Sequence, residues 1–60
     1  MVFQLTIETD NAAFEDNPYY EIIRILKDAI VSLELEKPTE TLHDINGNGV
    51  GAYIYKEGEL

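Results

Sequence analysis

The stretch Asp44-Ile45-Asn46-Gly47-Asn48-Gly49 has the side chains best suited to hold a metal ion. Carboxylate or amide side chains at loop positions one, three and five, followed by glycine at six, are typical of calcium loops of the EF-hand and dockerin kind. The match ends there, because the eighth position is Gly51 and the twelfth, which should supply a bidentate carboxylate, is Tyr55. Calcium binding by the Asp44-Asn46-Asn48 set is therefore an alternative to a plain hairpin turn.

The other polar residues do not predict catalysis. The chain has no cysteine and one histidine, which excludes a thiolate zinc site and a cysteine nucleophile. His43 is the one possible general base, but adjacent strand residues point to opposite faces, so it cannot pair with Asp44. Ser32 falls on the expected polar side of a helix. We therefore expect a protein that is not an enzyme and that uses no cofactor and no metal.

Charge is the most unusual feature of the composition. Twelve acidic and four basic residues give a net charge of −8 over 60 residues, which argues against direct binding to nucleic acid or to anionic membranes. A protein partner with a basic surface is favoured, although an acidic surface also serves solubility. No signal peptide or membrane-spanning segment is predicted, so we expect a cytoplasmic protein. The expected acidic surface consists of Glu8, Asp10, Glu15, Asp16, Glu34, Glu36 and Glu40.

A helix over residues 18–36 is the element around which the chain is organised. Asn17 is suited to cap it, Pro18 is suited to its first position, and Pro38 stops it. Apolar residues at spacings of three and four predict one buried stripe, with Arg24, Glu21, Asp28 and Ser32 on the solvated side. The expected buried stripe is Tyr19, Ile22, Ile23, Leu26, Ala29, Ile30 and Leu33.

This helix carries more apolar residues than one stripe needs. Tyr20, Val31, Ile25 and Leu35 fall outside the expected core face, either as scattered exposed side chains or as a flank that meets another chain. A 60-residue chain is near the lower size limit for folding alone, and oligomerisation is a common remedy. We therefore expect a homodimer. The candidate interface residues are Tyr20, Arg24, Lys27, Val31, Leu35, Tyr53 and Tyr55.

Three strands are predicted around the helix. Alternating residues indicate a strand over 2–9 whose Phe3, Leu5 and Ile7 face the helix, and hairpin strands over 39–45 and 49–56, with a charged tail at 57–60. The hairpin can close in two registers: a two-residue turn at Asn46-Gly47, or a type I turn that begins at Asp44 and has Gly47 in the left-handed bulge position. We prefer the second register.

The preferred register makes a prediction about both faces of the sheet. It places Leu42, Val50, Ala52 and Ile54 under the helix, on one apolar face. The opposite face is open, because one helix cannot cover both sides of a sheet. That open face is expected to contain Thr41, His43, Tyr53 and Tyr55 together with Val2, Gln4 and Thr6, so the two tyrosines form an exposed aromatic pair suited to protein contact.

The segments Thr9-Asp10-Asn11-Ala12-Ala13-Phe14 and Asp44-x-Asn46-Gly47-Asn48-x-Val50-Gly51 resemble those of short acidic proteins of phages and prophages. The resemblance spans most of the chain and carries no functional residues. It implies a compact protein that binds and blocks a host factor, such as a component of a CRISPR, restriction or Hachiman-type defence system.

The sequence thus predicts a single α+β domain of order β-α-β-β, with a three-stranded antiparallel sheet and one helix on one face. Its third strand is expected at the centre of the sheet. The predicted function is that of a small acidic protein-binding module, and the phage resemblance implies an inhibitor that binds a host defence protein or mimics the charge of nucleic acid. The alternatives are the calcium module and a structural accessory subunit of another chain.

Overall fold

The computed structural model describes residues 1–56 and contains a three-stranded antiparallel sheet with one α-helix, so the predicted α+β class and β-α-β-β order are confirmed. The expected tail at 57–60 lies outside the described residues. Within residues 1–56, no helix has the length and apolar character needed to cross a membrane. The elements are β1 (Val2–Ile7), a 3₁₀ helix (Ala12–Phe14), α1 (Pro18–Glu34), β2 (Thr39–His43) and β3 (Gly49–Lys56).

Both helices begin at an asparagine that caps the first turn. The side chain of Asn17 accepts a hydrogen bond from the N–H of Tyr20 at 3.1 Å, and Pro18 occupies the first helical position, where a missing N–H costs no bond. Asn11 accepts a similar bond from the N–H of Ala13 at 3.0 Å. These two caps fix where the chain turns between β1 and α1.

α1 ends at Glu34, before the expected position 36, because Glu36 adopts a left-handed backbone conformation with a φ of 58°. The N–H of Glu36 donates to the carbonyl of Leu33 at 2.9 Å, and the N–H of Lys37 donates to that of Ser32 at 3.2 Å. This bond pattern is a Schellman motif, in which glycine is the usual left-handed residue. The motif leads the chain directly into β2.

β3 is the central strand, as predicted, with β1 and β2 at the two edges. It pairs with β1 from Val2 opposite Lys56 to Ile7 opposite Gly51, and with β2 along the hairpin. α1 covers one face of this sheet, and its inner side packs there. The buried apolar core consists of Phe14, Ile25, Ala29, Leu42, Val50 and Tyr53.

The hairpin closes with the preferred type I turn and its left-handed glycine. The N–H of Gly47 donates to the carbonyl of Asp44 at 3.0 Å, and the N–H of Asp44 donates to the carbonyl of Asn48 at 2.9 Å. Gly47 has a φ of 87°, a conformation that strongly favours glycine. The turn therefore has the second of the two predicted registers.

Besides the bulge at Gly47, β3 contains a second bulge, which changes the face of the sheet on which the following side chains lie. Leu42 pairs with Gly51, but the next pair joins His43 to Gly49. Val50 is thus an extra residue without a partner in β2, and the alternation of side chains shifts by one position beyond it. The predicted apolar face assumes that side chains alternate without interruption along β3. The predicted orientations are therefore wrong for the residues of β3 that follow Val50.

The expected outward orientation of Tyr53 and Tyr55 is wrong for this reason. Tyr53 faces the helix and is 1% exposed, its ring centroid lies 5.6 Å from that of Phe3, and its hydroxyl donates to the carbonyl of Lys37 at 2.9 Å. Tyr55 lies opposite Phe3 on the same face of the sheet and is partly exposed at its end. Neither tyrosine belongs to the helix-free face.

The helix-free face of the sheet is largely polar. Ala52 and Ile54, which are expected under the helix, lie on this face. Residues that pair across strands share a face, and Ala52 pairs with Thr6 and Thr41 while Ile54 pairs with Gln4. Threonine is a good strand residue that tolerates solvent. This face therefore needs no second layer. Its other residues include Val2, Thr39 and His43.

The helix presents a different stripe to the sheet from the predicted one. Ala29 is buried as predicted, but Ile25, expected outside the core, is also buried, and Glu21, expected on the solvated side, is 3% exposed. Ile23 and Ile30, expected in the core, are 50% and 54% exposed. The helix is thus rotated by about one residue position, roughly 100° at 3.6 residues per turn, relative to the prediction. The more apolar side of α1 faces solvent.

Candidate protein-binding surface

Asp44 is buried, and its carboxylate is engaged inside the hairpin turn. One carboxylate oxygen accepts hydrogen bonds from the N–H groups of Asn46 and Asn48, both at 2.9 Å. The other accepts from the side-chain amides of Asn11 at 2.8 Å and Asn48 at 3.1 Å. Burial by itself would raise the pKa of Asp44, but the bonds from Asn48, Asn46 and Asn11 together lower it.

Asp44 therefore acts as the centre of the turn and ties it to the 3₁₀ helix through Asn11. Four hydrogen bonds occupy the oxygen positions that a cation would need. Within residues 1–56, no three His, Cys, Asp or Glu side chains are grouped so as to hold a metal ion. His43 is exposed next to this turn, while Asp44 is buried. The geometry thus supports a structural role for the loop.

Glu21 is a second buried carboxylate, and it ties α1 to the hairpin. Arg24 donates to its two oxygens at 2.9 and 3.0 Å, and the N–H of Ile45 donates to one of them at 2.9 Å. Arg24 also donates to the carbonyl of His43 and to Asp28, both at 3.1 Å. The hydrogen bond from Arg24 lowers the pKa of Glu21, burial opposes it, and the Ile45 bond reinforces it.

This network determines the rotation of α1. A buried carboxylate and the guanidinium that pairs with it need several hydrogen bonds, and besides those within the helix, Glu21 and Arg24 find partners in the backbone of Ile45 and His43. The side of the helix that carries them must therefore face the sheet. Arg24, predicted as an interface residue, is held within the chain by these contacts.

The opposite side of α1 forms an exposed apolar stripe, which we call the outer face. Its residues follow one another at spacings of four, three, four and three, the heptad pattern of helices that pack against other helices. Tyr19 is the most exposed of them, at 77%. Scattered exposed apolar residues are normal, but a continuous stripe over the length of a helix is not. The outer face consists of Tyr19, Ile23, Leu26, Ile30 and Leu33.

Three predicted interface residues, Tyr20, Lys27 and Val31, flank the outer face and are exposed. Lys27 is the one charged side chain among the outer face and these flanks between residues 19 and 33. In a chain with twelve acidic residues, a long face without a carboxylate is unusual. The acidic side chains of this part of the helix, Glu21 and Asp28, both lie on its other side with Arg24.

The outer face continues at its carboxyl end into an apolar groove of about 460 Å³. The groove lies where α1, β1 and β3 meet, because the helix does not cover the ends of these strands. Its apolar lining residues are Phe3, Leu33, Pro38 and Tyr55, with Glu36 and Lys37 at the chain reversal after α1. A groove of this size can accept an aromatic side chain. Leu33 belongs to both the outer face and the groove.

The remaining predicted residues are dispersed. Leu35 is exposed beyond the end of α1. Glu40 is half-buried and accepts a hydrogen bond from the ammonium of Lys37 at 3.1 Å, which lowers its pKa. The other predicted acidic side chains are exposed and lie at the two ends of α1 and after β1; they are Glu8, Asp10, Glu15, Asp16, Glu34 and Glu36.

The surface has to be interpreted from its own geometry. No protein-family model, curated protein or solved structure matches this chain. The resemblance to short acidic phage proteins stays a prediction. The function therefore rests on what the outer face, its flanks and the adjoining groove can bind.

The residues of the outer face are predicted to form part of the core, and this prediction is wrong. Ile23, Leu26, Ile30 and Leu33 have the spacing of a buried stripe, and the more apolar stripe of a helix is usually the buried one. The absence of carboxylates cannot separate a core stripe from a contact surface. Phe3 lies on the helix side of the sheet, as predicted, but at an end of β1 that the helix does not cover, where it is 45% exposed at the groove.

Proposed function

We propose that this protein is a small protein-binding module, not an enzyme, that contacts its partner through the outer face of α1. The exposed apolar surface carries the proposal. The five apolar residues of the outer face are between 37% and 77% exposed, and a contiguous exposed apolar stripe of this kind marks a contact site.

The charge of the chain suggests what surrounds the contact. Carboxylates stand at both ends of α1, with Glu15 and Asp16 before it, Glu34 as its last residue and Glu36 just after it. A host target with a basic surface would complement these carboxylates. Together with the small size and the phage resemblance, this supports a cytoplasmic, phage-encoded inhibitor that binds a host defence protein or occupies a nucleic-acid site on it.

Site-specific photocrosslinking in bacterial cells tests the module. A benzophenone amino acid replaces Ile30 on the outer face or, as the matched control, Thr41 on the helix-free side of the sheet. Illumination should yield a discrete covalent adduct from position 30 and little from position 41. Equal yields from both positions, or no adduct from position 30, would contradict the proposal. The mass of the adduct reports whether the partner is a second copy or another protein.

A structural accessory subunit would use the same surface, but it would fail to fold without its partner chain. Circular dichroism of the purified chain separates that possibility from a module that folds alone. The calcium module has no observation in its favour, since the oxygens of Asp44 are already engaged by Asn11, Asn46 and Asn48.

A further inference from the structure

We infer that the outer face of α1 binds the outer face of a second copy in an antiparallel arrangement, with Tyr19 of each copy seated in the apolar groove of the other. This inference rests on the proposed function and names the partner of that surface. The resulting contact is isologous, so one patch serves both sides of the interface.

The spacing of the outer face suits a copy of itself. In an antiparallel helix pair, residues at equal distances from the midpoint lie opposite each other. With the midpoint between Leu26 and Ile30, these two residues pack on each other and Ile23 packs on Leu33. Every apolar residue in the middle of the stripe then meets an apolar residue, which is the packing that heptad spacing produces. All five residues of the outer face are between 37% and 77% exposed in the single chain, so each has surface to bury in such a contact.

The groove decides between the two possible directions. The groove adjoins Leu33 at the carboxyl end of α1, and Tyr19 lies at the amino end, so an antiparallel partner brings its Tyr19 to the groove. The most exposed aromatic side chain of α1 thus meets the apolar concavity of the other copy, twice in each dimer. A parallel pair would instead place Tyr19 against Tyr19 and leave both grooves empty. Antiparallel helices also bring opposite ends of their dipoles together.

Charge also favours this face over the rest of the surface as the site of self-contact. Each copy has a net charge of −8, so most approaches of two copies are repulsive. The outer face and its flanks have no carboxylate between residues 19 and 33, and Lys27 can extend to solvent. The chain cannot bury the face by rotating α1, because Glu21 and Arg24 hold the opposite side against the hairpin.

Light scattering on the purified chain across a dilution series tests the dimer. We expect twice the chain mass for the wild type. Ile30→Glu should raise the dissociation constant of the dimer at least about 100-fold, since it places a charge in the apolar contact of both copies. Thr41→Glu, with the same change of charge on the helix-free face, should remain dimeric. A monomeric wild type, or an Ile30→Glu variant that stays dimeric, would overturn the inference.

Thermal unfolding covers the case in which Ile30→Glu does not fold. The midpoint of the wild type should rise with chain concentration, because association stabilises the folded state. A midpoint that does not change over a 100-fold concentration range would overturn the dimer. If the wild type is monomeric while position 30 crosslinks to a different protein, the second-copy inference fails and the protein-binding module stands. If no crosslink forms either, both fail.

Disulfide trapping tests the direction, since the native chain has no cysteine. A mixture of Ile23→Cys and Leu33→Cys chains should form a mixed disulfide under mild oxidation, while Ile23→Cys alone should not. Efficient linkage of Ile23→Cys to itself would indicate a parallel pair and overturn the docking of Tyr19. Tyr19→Ala should weaken the dimer about tenfold or more, and Tyr20→Ala, one position away, should weaken it less.

Discussion

Asp44 and Glu21 show how two acidic residues become structural in a chain where most acids are exposed. Each carboxylate is buried, and each accepts bonds from the backbone of the β2–β3 turn, at Asn46, Asn48 and Ile45. The bonds from Asn48, Asn46 and Asn11 lower the pKa of Asp44 despite its burial. The pKa of Glu21 is lowered chiefly by the hydrogen bond from Arg24 and further by the bond from Ile45. The hairpin turn thus depends on two buried charges.

Acid should therefore destabilise the fold, and Asp44→Asn should reduce that effect. A folded-state pKa below the unfolded value of about 4 means that the stabilisation is complete above about pH 5 and is lost as the pH falls through 4 and below. Urea unfolding at one chain concentration should show a smaller loss of unfolding free energy between pH 7 and pH 3 in Asp44→Asn than in the wild type. The exposed control Asp10→Asn should keep the wild-type loss. An Asp44→Asn variant with the full wild-type loss would contradict this account.

At the scale of elements, the bulge at Val50 decides how β3 and β1 fit together. The N–H of Glu8 donates to the carbonyl of Val50 at 2.7 Å, so the bulged strand lies close to the end of β1. A Cβ atom on Gly51 would lie 1.9 Å from the carbonyl oxygen of Thr6. Glycine at position 51 is therefore a requirement of this close approach.

Gly51→Ala should cost about 3 kcal/mol or more of unfolding free energy, or prevent folding, because the obstructing atom is backbone and cannot move aside. Gly49→Ala is the matched control in the same strand. There a Cβ would lie 3.8 Å from a methyl group of Thr41, and the change should stay within about 1 kcal/mol. Urea denaturation followed by circular dichroism measures both. Equal effects of the two substitutions would show that β3 does not approach β1 as described.

For the whole molecule, an apolar contact face and a net charge of −8 have opposite effects on association. Burial of the outer face favours a dimer, while the charges of the two copies, and the two Lys27 side chains near the twofold axis, oppose it. Salt screens the repulsion without weakening the apolar contact. The response to salt therefore distinguishes the two kinds of partner proposed for this chain.

The dimer should tighten as sodium chloride is raised from about 0.02 to 0.5 M, a range over which the screening length falls from roughly 20 Å to less than 5 Å. A complex held by a basic partner should weaken over the same range. Sedimentation equilibrium at each salt concentration measures the dimer constant. A dimer that dissociates as salt is added would indicate that ion pairs, and not the outer face, hold it together.

The sequence by itself determined the class of fold and the local features. Asn17 and Pro18 set the start of α1, Asp44 and Gly47 set the bulged turn, and alternation in β1 set its two faces. These features depend on hydrogen bonds and backbone angles within a few residues, so residue type and spacing are enough to predict them.

The tertiary structure alone decided which sides of α1 and β3 face the core. The bonds of Glu21 and Arg24 to the distant hairpin turned the less apolar side of α1 inward, and the bulge at Val50 turned Tyr53 inward. Burying a hydrogen-bonded ion pair and fitting one strand against another depend on atoms far apart in the chain, which hydrophobic periodicity does not represent. For the same reason, the exposure of the outer face could be recognised only in the folded molecule.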